Sequence, residues 1–252
     1  MSPARPAPGP VRLYCFPHAG ATSSVHRPWG PLAAPHLQIV GVDAPGRGTR
    51  SREERPADFP ALVNAMAEHL ADDLARALDE DPGLRWATFG HSFGAMTSLA
   101  VADAAARLAG RPPLRAVLSA ALPPRLQQPD TTDDLTDDEL LEKIAADGGT
   151  PAGLLSNSAM RAYLVRLMRE DYVIRRQFPR HAALRVDFPL TLVAARDDAY
   201  VTPAQMWQWA EHTTAACRRV EIPGGHFAAV QDPKEIVAIV TEDLLGAGEE
   251  QG

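Results

Sequence analysis

Hydrophobic and polar residues follow two different periods along this chain, and their succession predicts a sheet covered by helices. Short runs rich in Val, Leu, Ile and aromatic residues, bounded by Gly, Pro or Asp, are typical of buried strands. Such runs occur at 11–16, 37–43, 84–89, 114–120, 189–195 and 219–222. Segments 59–78, 95–108 and 234–245 have the longer apolar pattern of helices. The order of strand and crossover up to residue 120 predicts an α/β fold with a mostly parallel sheet and helices on both faces.

The alternation breaks after the fourth predicted strand, where no further strand is predicted for more than sixty residues. A capping box, in which Thr136 and Glu139 satisfy each other's backbone, opens a helix there. Short helices are predicted over 140–146, 159–168 and 171–178. We therefore predict one domain over residues 1–252, with a helical lid insertion at about 123–187. The apolar residues expected to pack in this lid are Met160, Leu164, Leu167, Met168, Tyr172 and Phe178.

One short stretch carries the strongest indication of chemistry. Residues 90–94 read Gly-His-Ser-Phe-Gly and fit the G-x-S-x-G pattern of a nucleophile elbow. A predicted strand precedes the motif and a predicted helix follows it, which is the context that the motif requires. The sharp turn strains the backbone of Ser92, and side chains at Gly90 and Gly94 would clash across it. The alternative is a surface Gly-Ser turn, but the context favours Ser92 as a nucleophile.

Two further loops, each placed directly after a predicted strand, carry the partners that a serine nucleophile needs. Asp197 and Asp198 follow the fifth strand, and His226 follows the sixth. Because parallel strands end at the same edge of a sheet, these loops can meet Ser92 there. The chain order Ser, Asp, His is that of the α/β-hydrolase architecture. We predict His226 as the general base and Asp198 as the acid that orients it, with Asp197 as the alternative acid.

The loop after the first predicted strand is a candidate for half of an oxyanion hole. Its small residues would let a backbone N–H approach a substrate closely. By position in α/β-hydrolases, we assign the backbone N–H groups of Ala19 and Phe93 as the oxyanion donors. His18 in the same loop is a possible ligand or base, but His226 is better placed and we expect His18 only to line the loop.

Composition and charge narrow the classes of function. Lys and Arg number 25 against 32 Asp and Glu, and the net charge is −7. An acidic chain without basic runs is a poor candidate for nucleic-acid binding. Because no apolar run approaches the ~18 residues that a membrane span needs, no membrane association is expected. The first ten residues lack the apolar core of a secretory signal, so we expect a cytoplasmic protein.

Four smaller features complete this interpretation. Cys15 and Cys217 are too few for a disulfide framework, and we expect both to be small buried residues. No metal-ligand spacing occurs, so no metal is expected. A monomer is expected because no long exposed apolar stripe stands out. A cluster of arginines after the second strand is either a solvated loop with local salt bridges or a basic rim that meets an acidic partner: Arg47, Arg50, Arg52 and Arg55.

Seven motifs occur in order along the chain: FPHAGA at 16–21, PGRG with Arg50 at 45–50, GHSFGA at 90–95, LTDDELL at 135–141, GGTP at 148–151, REDY at 169–172 and GHF at 225–227. Together they resemble the external, type II thioesterases of polyketide and nonribosomal peptide synthases. The resemblance runs in order from about residue 11 to residue 245. Two positions depart from the family: Phe93 stands where many members have Met, and Ala195 where Gly is usual.

This resemblance implies a substrate that spacing alone does not indicate. The family hydrolyses acyl groups from the phosphopantetheine arm of acyl or peptidyl carrier proteins, which clears stalled synthases. It implies Ser92, Asp198 and His226 as the triad and no cofactor beyond the phosphopantetheine of the partner. The alternatives that remain are a general carboxylesterase or lipase, an excised product-releasing thioesterase domain, and a binding module of the same fold without catalysis. The absence of a carrier segment before the first strand favours a separate protein.

Overall fold

Six strands form one parallel sheet in the computed structural model, which describes residues 9–128, 132–150 and 152–246. The strands are β1 (Val11–Phe16), β2 (Leu37–Gly41), β3 (Arg85–His91), β4 (Ala116–Ser119), β5 (Leu190–Ala195) and β6 (Cys217–Ile222). Their order is β2-β1-β3-β4-β5-β6, and every neighbouring pair is parallel. The predicted α/β fold with a parallel sheet is confirmed. Parts of the predicted domain, namely residues 1–8, residues 129–131 and 151 of the predicted lid, and residues 247–252, lie outside the described residues.

Helices connect the strands and cover the sheet. The α-helices are α1 (Phe59–Glu80), α2 (Phe93–Ala109), α3 (Asp137–Asp147), α4 (Ala152–Leu155), α5 (Ser158–Arg175), α6 (Pro203–Met206), α7 (Ala228–Gln231) and α8 (Pro233–Thr241). Segments of 3₁₀ helix lie at Ser23–Leu32, Gly48–Arg50, Pro124–Leu126, Thr132–Asp134, Phe178–His181 and Trp207–His212, and a π-helix lies at Glu242–Gly246. Within the described part of the chain, no helix combines the length and the apolar character needed to cross a membrane.

The side chains of β1 show that both faces of the sheet are buried. Tyr14 and Phe16 pack in a core with residues of α1 and α2. Val11, Leu13 and Cys15 alternate with them and pack in a second core with α8 and the 3₁₀ helix Ser23–Leu32. Alternating side chains of a strand point to opposite faces, so the two cores lie on opposite sides of the sheet. This arrangement confirms the expected helices on both faces and places the carboxyl ends of the strands along one edge.

The segment between β4 and β5 is helical, as predicted, but one prediction there is wrong. The capping box of Thr136 and Glu139 is formed at the start of α3. The two short helices expected over 159–168 and 171–178 are instead one helix, α5, which ends at Arg175. The helix continues through the charged residues 169–171, where the buried Asp171 has arginine partners outside the helix.

The cysteines follow the expectation in part. Cys15 is fully buried, and Cys217 is of intermediate exposure.

The final α-helix is shorter than predicted, since α8 ends at Thr241 and continues as the π-helix.

A buried histidine in the second core makes the fold sensitive to acid. The ring of His26 lies 5.0 Å from that of Trp29 and 5.9 Å from that of Phe89, between centroids. Neither ring nitrogen has a hydrogen-bond partner among the described residues. Burial, and then the nearby His18, lowers the pKa of His26 to about 3. Between about pH 6.5 and that value the unfolded chain binds a proton that the folded chain excludes, so stability falls as the pH falls through this range.

We expect His26→Leu to reduce this acid sensitivity. Between pH 7 and pH 5 the unmodified protein should lose roughly 2 kcal/mol more folding free energy than the variant, because Leu has no proton to bind in the unfolded chain. Urea unfolding of both proteins at the two pH values measures the difference. Equal losses would contradict the assignment of His26 as a source of acid instability.

Candidate active site

Ser92 stands at the turn between β3 and α2, in a conformation that L-residues rarely adopt. Its φ is 55° and its ψ is −117°. A Cβ at Gly90 would clash with the carbonyl oxygen of Gly94, and one at Gly94 would clash with that of Phe16 in β1. The two glycines are therefore required, one to let the chain reverse and one to let α2 begin against β1. This strained serine is the feature that the elbow motif predicts.

The structure brings the three residues predicted as a triad into one hydrogen-bonded chain. His226 Nε2 lies 3.2 Å from Ser92 Oγ, and His226 Nδ1 lies 2.9 Å from Asp198 Oδ2. The Asp198 side chain is fully buried, and that of His226 is 13 % exposed. Ser92 and His226 are 134 residues apart in the chain. They meet because β3 and β6 end at the same edge of the sheet.

The loop after β5 distinguishes the two candidate acids. Asp198 Oδ1 accepts hydrogen bonds from the backbone N–H groups of Tyr200 at 2.8 Å and Val201 at 3.0 Å, which leaves Oδ2 for His226. Asp197 is exposed, and its backbone N–H donates to Gly224 O at 3.0 Å. Asp198, and not Asp197, is therefore the carboxylate that contacts His226.

The loop after β1 forms a tight turn beside the serine. Ala21 N donates to His18 O at 3.2 Å, and Gly20 has a φ of 77°, as the third residue of a type II turn requires. Ala19 and Phe93, whose backbone N–H groups are the predicted oxyanion donors, line the same cavity as Ser92. The N–H of Phe93 is the first of α2 and belongs to the group that finds no partner inside a helix.

A cavity of about 320 Å³ extends from Ser92 and His226 under the helical segment that follows β4. Most of its wall is apolar and comes from both the sheet core and that segment: Phe93, Met96, Leu122, Met168, Tyr172 and Phe178. The rings of Phe93 and Phe178 stack at 5.5 Å. A cavity of this size and lining can hold an acyl chain next to the serine.

Three linked polar side chains, Lys143, Asp147 and Tyr200, form the part of the cavity wall near the loop that holds Asp198. Lys143 Nζ donates to Tyr200 Oη at 2.7 Å and to Asp147 Oδ2 at 2.9 Å, and Tyr200 also donates to Asp147. The Tyr200 ring lies 5.1 Å from that of His226. These contacts join α3 to the loop that holds Asp198. No three His, Cys, Asp or Glu side chains in the described ranges are grouped to hold a metal ion.

Two further histidines surround His226, and both favour the neutral form. Burial, and then the proximity of His226, lowers the pKa of His18 to about 4 and that of His91 well below its ordinary value. The ring of His91 lies 5.4 Å from that of His226. His18 is buried against Phe227 and lines the cavity, as expected, rather than contacting Ser92 as a base.

Within the arginine cluster, Arg47 fits neither of the two interpretations. Arg47 is 2 % exposed and pairs with Asp171 of α5, and Arg55 pairs with the same carboxylate at 2.7 Å. Only Arg50 forms the expected local salt bridge, with Glu53 at 2.6 Å. The solvated-loop interpretation is wrong for Arg47, and so is its place in a basic rim, because a buried and paired guanidinium cannot meet a partner. The signal that the sequence analysis overlooked is Asp171 itself, a charge in register with the apolar positions 164, 167 and 168 of one helix face.

Comparison with known proteins identifies the family of this chain. The family model described as "Thioesterase domain" matches residues 11–244. A protein of Streptomyces griseus, named a probable cadicidin biosynthesis thioesterase, is 30% identical over 88% of this chain and 59% of its own length. The solved structure of the type II thioesterase BorB from the borrelidin biosynthetic cluster superposes with a TM-score of 0.78, with 27% identity over 95% of each chain.

One relative has a name of another class. The linear gramicidin dehydrogenase LgrE of Brevibacillus parabrevis is 27% identical over 97% of this chain and 91% of its own length. That name describes a redox activity of that protein, whereas the serine, histidine and carboxylate here are arranged for acyl transfer. The matched family model and the fold lead to one conclusion: the chain has the α/β-hydrolase fold and belongs to the thioesterase family, the hydrolases that act on thioesters.

Proposed function

We propose that this protein hydrolyses acyl groups from the phosphopantetheine arm of acyl or peptidyl carrier proteins and so edits polyketide or nonribosomal peptide assembly lines. The observation that carries the proposal is the chain of contacts from Ser92 through His226 to Asp198, beside a cavity with a largely apolar wall. The names of two relatives, a probable cadicidin biosynthesis thioesterase and the type II thioesterase of the borrelidin biosynthetic cluster, support the choice of substrate.

The first half of the proposed reaction forms an acyl-enzyme. His226 Nε2 takes the proton of Ser92 Oγ as the oxygen attacks the thioester carbonyl. Asp198 keeps the imidazole oriented through Nδ1 and stabilises its positive charge. The N–H groups of Ala19 and Phe93 stabilise the oxyanion, a contribution of ~2.7–4 kcal/mol for each donor. The C–S bond then breaks, His226 returns the proton to the thiolate sulfur, and the holo-carrier leaves.

The second half releases the acid. His226 takes a proton from a water molecule, which attacks the acyl-serine carbonyl. The C–O bond to Ser92 breaks and the serine oxygen regains the proton, so one thioester and one water give one carboxylic acid and one thiol. The proposed steps involve only acyl and proton transfer, so they need no metal or redox cofactor of the protein's own. The phosphopantetheine belongs to the carrier. A single copy of the chain supplies every group named, in line with a monomer.

Intact mass spectrometry of an acylated carrier protein tests the proposal. We expect the wild-type protein to remove the acyl mass and leave the holo-carrier, and Ser92→Ala to leave the acyl-carrier unchanged. Gel filtration with light scattering on the same sample tests the monomer. Release of a cyclic product instead of an acid would support a product-releasing thioesterase. An intact acyl-carrier alongside cleavage of a simple ester would overturn the carrier proposal in favour of a carboxylesterase, and cleavage of neither would leave only a binding module.

A further inference from the structure

Asp171 of α5 is a fully buried carboxylate that the proposed reaction does not use. Its Oδ1 and Oδ2 accept hydrogen bonds from the two terminal nitrogens of Arg47, at 2.5 and 2.7 Å, so the pair is bidentate. Arg55 donates to Oδ1 at 2.7 Å. A buried bidentate pair has fixed geometry as well as charge, so the position of either side chain defines that of the other.

The same pair contacts two successive residues of the turn at 18–21. Asp171 Oδ2 accepts a hydrogen bond from Gly20 N at 2.8 Å, and Arg47 Nη1 donates to Ala21 O at 3.1 Å. Ala19, the predicted oxyanion donor, directly precedes Gly20. One partner of the ion pair therefore holds an N–H of the turn, and the other holds a carbonyl.

Helix α5 also restricts this turn sterically. A Cβ at Gly20 would overlap the side chain of Met168 and approach that of Leu164, both on α5. The turn is thus packed against the helix and hydrogen-bonded to it at the same residue. These contacts restrict the orientation of the peptide groups of the turn.

The charge state of the pair supports this arrangement. Burial alone would raise the pKa of Asp171, but Arg47, Arg55 and the N–H of Gly20 lower it below its ordinary value. An ionised acceptor makes a stronger hydrogen bond to a backbone N–H than a neutral one. The contact to Gly20 is therefore charge-assisted.

We propose that Asp171, paired with Arg47, is a positioning residue that fixes the turn at 18–21 so that the N–H of Ala19 lies where the oxyanion forms. The inference rests on the proposed function. It also makes α5, which contributes part of the cavity wall, a structural component of the oxyanion hole.

Steady-state hydrolysis of a short acyl thioester of N-acetylcysteamine tests the role of Asp171. We expect Asp171→Asn to lower kcat about 30- to 100-fold with less than a threefold change in KM, because a displaced oxyanion donor acts in the transition state. Asp243→Asn is the matched control. Asp243 is also buried and paired with an arginine, Arg218, but it contacts Thr191 of β5 rather than the turn. Its kcat should stay within about threefold of wild type.

A second variant separates positioning from folding. Removing one partner leaves a buried unpaired charge, whereas replacing both charged residues with apolar ones is often tolerated. We expect Arg47→Met with Asp171→Leu to recover much of the melting temperature lost by Asp171→Asn while kcat stays low. Recovery of kcat together with stability would show that the pair only stabilises the fold and would overturn the inference.

A trifluoromethyl ketone thioether reports on the oxyanion hole directly. Ser92 Oγ adds to its carbonyl carbon, the serine proton passes to His226, and the carbonyl oxygen becomes an oxyanion. Asp171→Asn should weaken binding of this probe about 30-fold or more and leave an alkyl thioether without the ketone bound as before. Equal losses for both probes would overturn the inference. Wild-type protein that leaves an acylated carrier protein intact overturns the proposed function, whereas wild-type hydrolysis with an undiminished kcat of Asp171→Asn overturns the inference alone.

Discussion

Ser92→Ala, His226→Ala and the double variant are each expected to lower kcat for thioester hydrolysis by about a million-fold, and by nearly the same factor. The reason is that the serine oxygen and its base act as one unit across the 3.2 Å contact between them. Without His226 the hydroxyl keeps its proton, and without Ser92 the imidazole has no nucleophile to activate. Spectrophotometric measurement of thiol release at saturating substrate gives the three rate constants.

A buried histidine elsewhere serves as the control for these variants. His212 is 5 % exposed and its Nδ1 lies 2.7 Å from Leu184 O, outside the cavity. His212→Ala should lower the melting temperature but keep kcat within about threefold of wild type. If the factor by which the double variant lowers kcat were the product of the two single factors, Ser92 and His226 would act independently, which would contradict this prediction. A fall of less than a thousand-fold in Ser92→Ala would mean that another residue is the nucleophile.

Asp198→Asn is expected to lower kcat about ten-thousand-fold, and Asp197→Asn to leave it within about twofold of wild type. The carboxylate of Asp198 accepts the Nδ1 proton of His226 at 2.9 Å and thereby leaves Nε2 free to face Ser92. An amide at this position can instead present its N–H₂ group to Nδ1, which favours the tautomer in which Nε2 carries the proton and cannot act as a base.

The two substitutions also test the conformation of the loop that directs Asp198, and not Asp197, towards His226. Asp197 and Asp198 differ by one position, so Asp197→Asn is a matched control for charge and for sequence context. Measuring kcat and KM for both variants on the same thioester is sufficient. A larger loss in Asp197→Asn than in Asp198→Asn would mean that the loop at 198–201 adopts another register in the active protein.

The sequence predicted the features that depend on neighbouring residues. The strands appear because β-branched and apolar runs are bounded by Gly, Pro and Asp, and the elbow appears because Gly90 and Gly94 flank Ser92 between a strand and a helix. The loops with Asp198 and His226 could be assigned to one edge of the sheet because parallel strands all end there. These predictions needed the order of elements, not their contacts.

Only the tertiary structure decided the features that depend on distant partners. The backbone N–H groups of Tyr200 and Val201 distinguish Asp198 from Asp197, because they bind one oxygen of Asp198 and leave the other for His226. From its own segment, Arg47 was expected to be exposed to solvent. It is buried because it pairs with Asp171, which lies 124 residues further along the chain and is therefore not visible in the local pattern. A charged side chain can be buried where its counter-charge lies. The local sequence does not indicate that place when the two residues meet only in the folded chain.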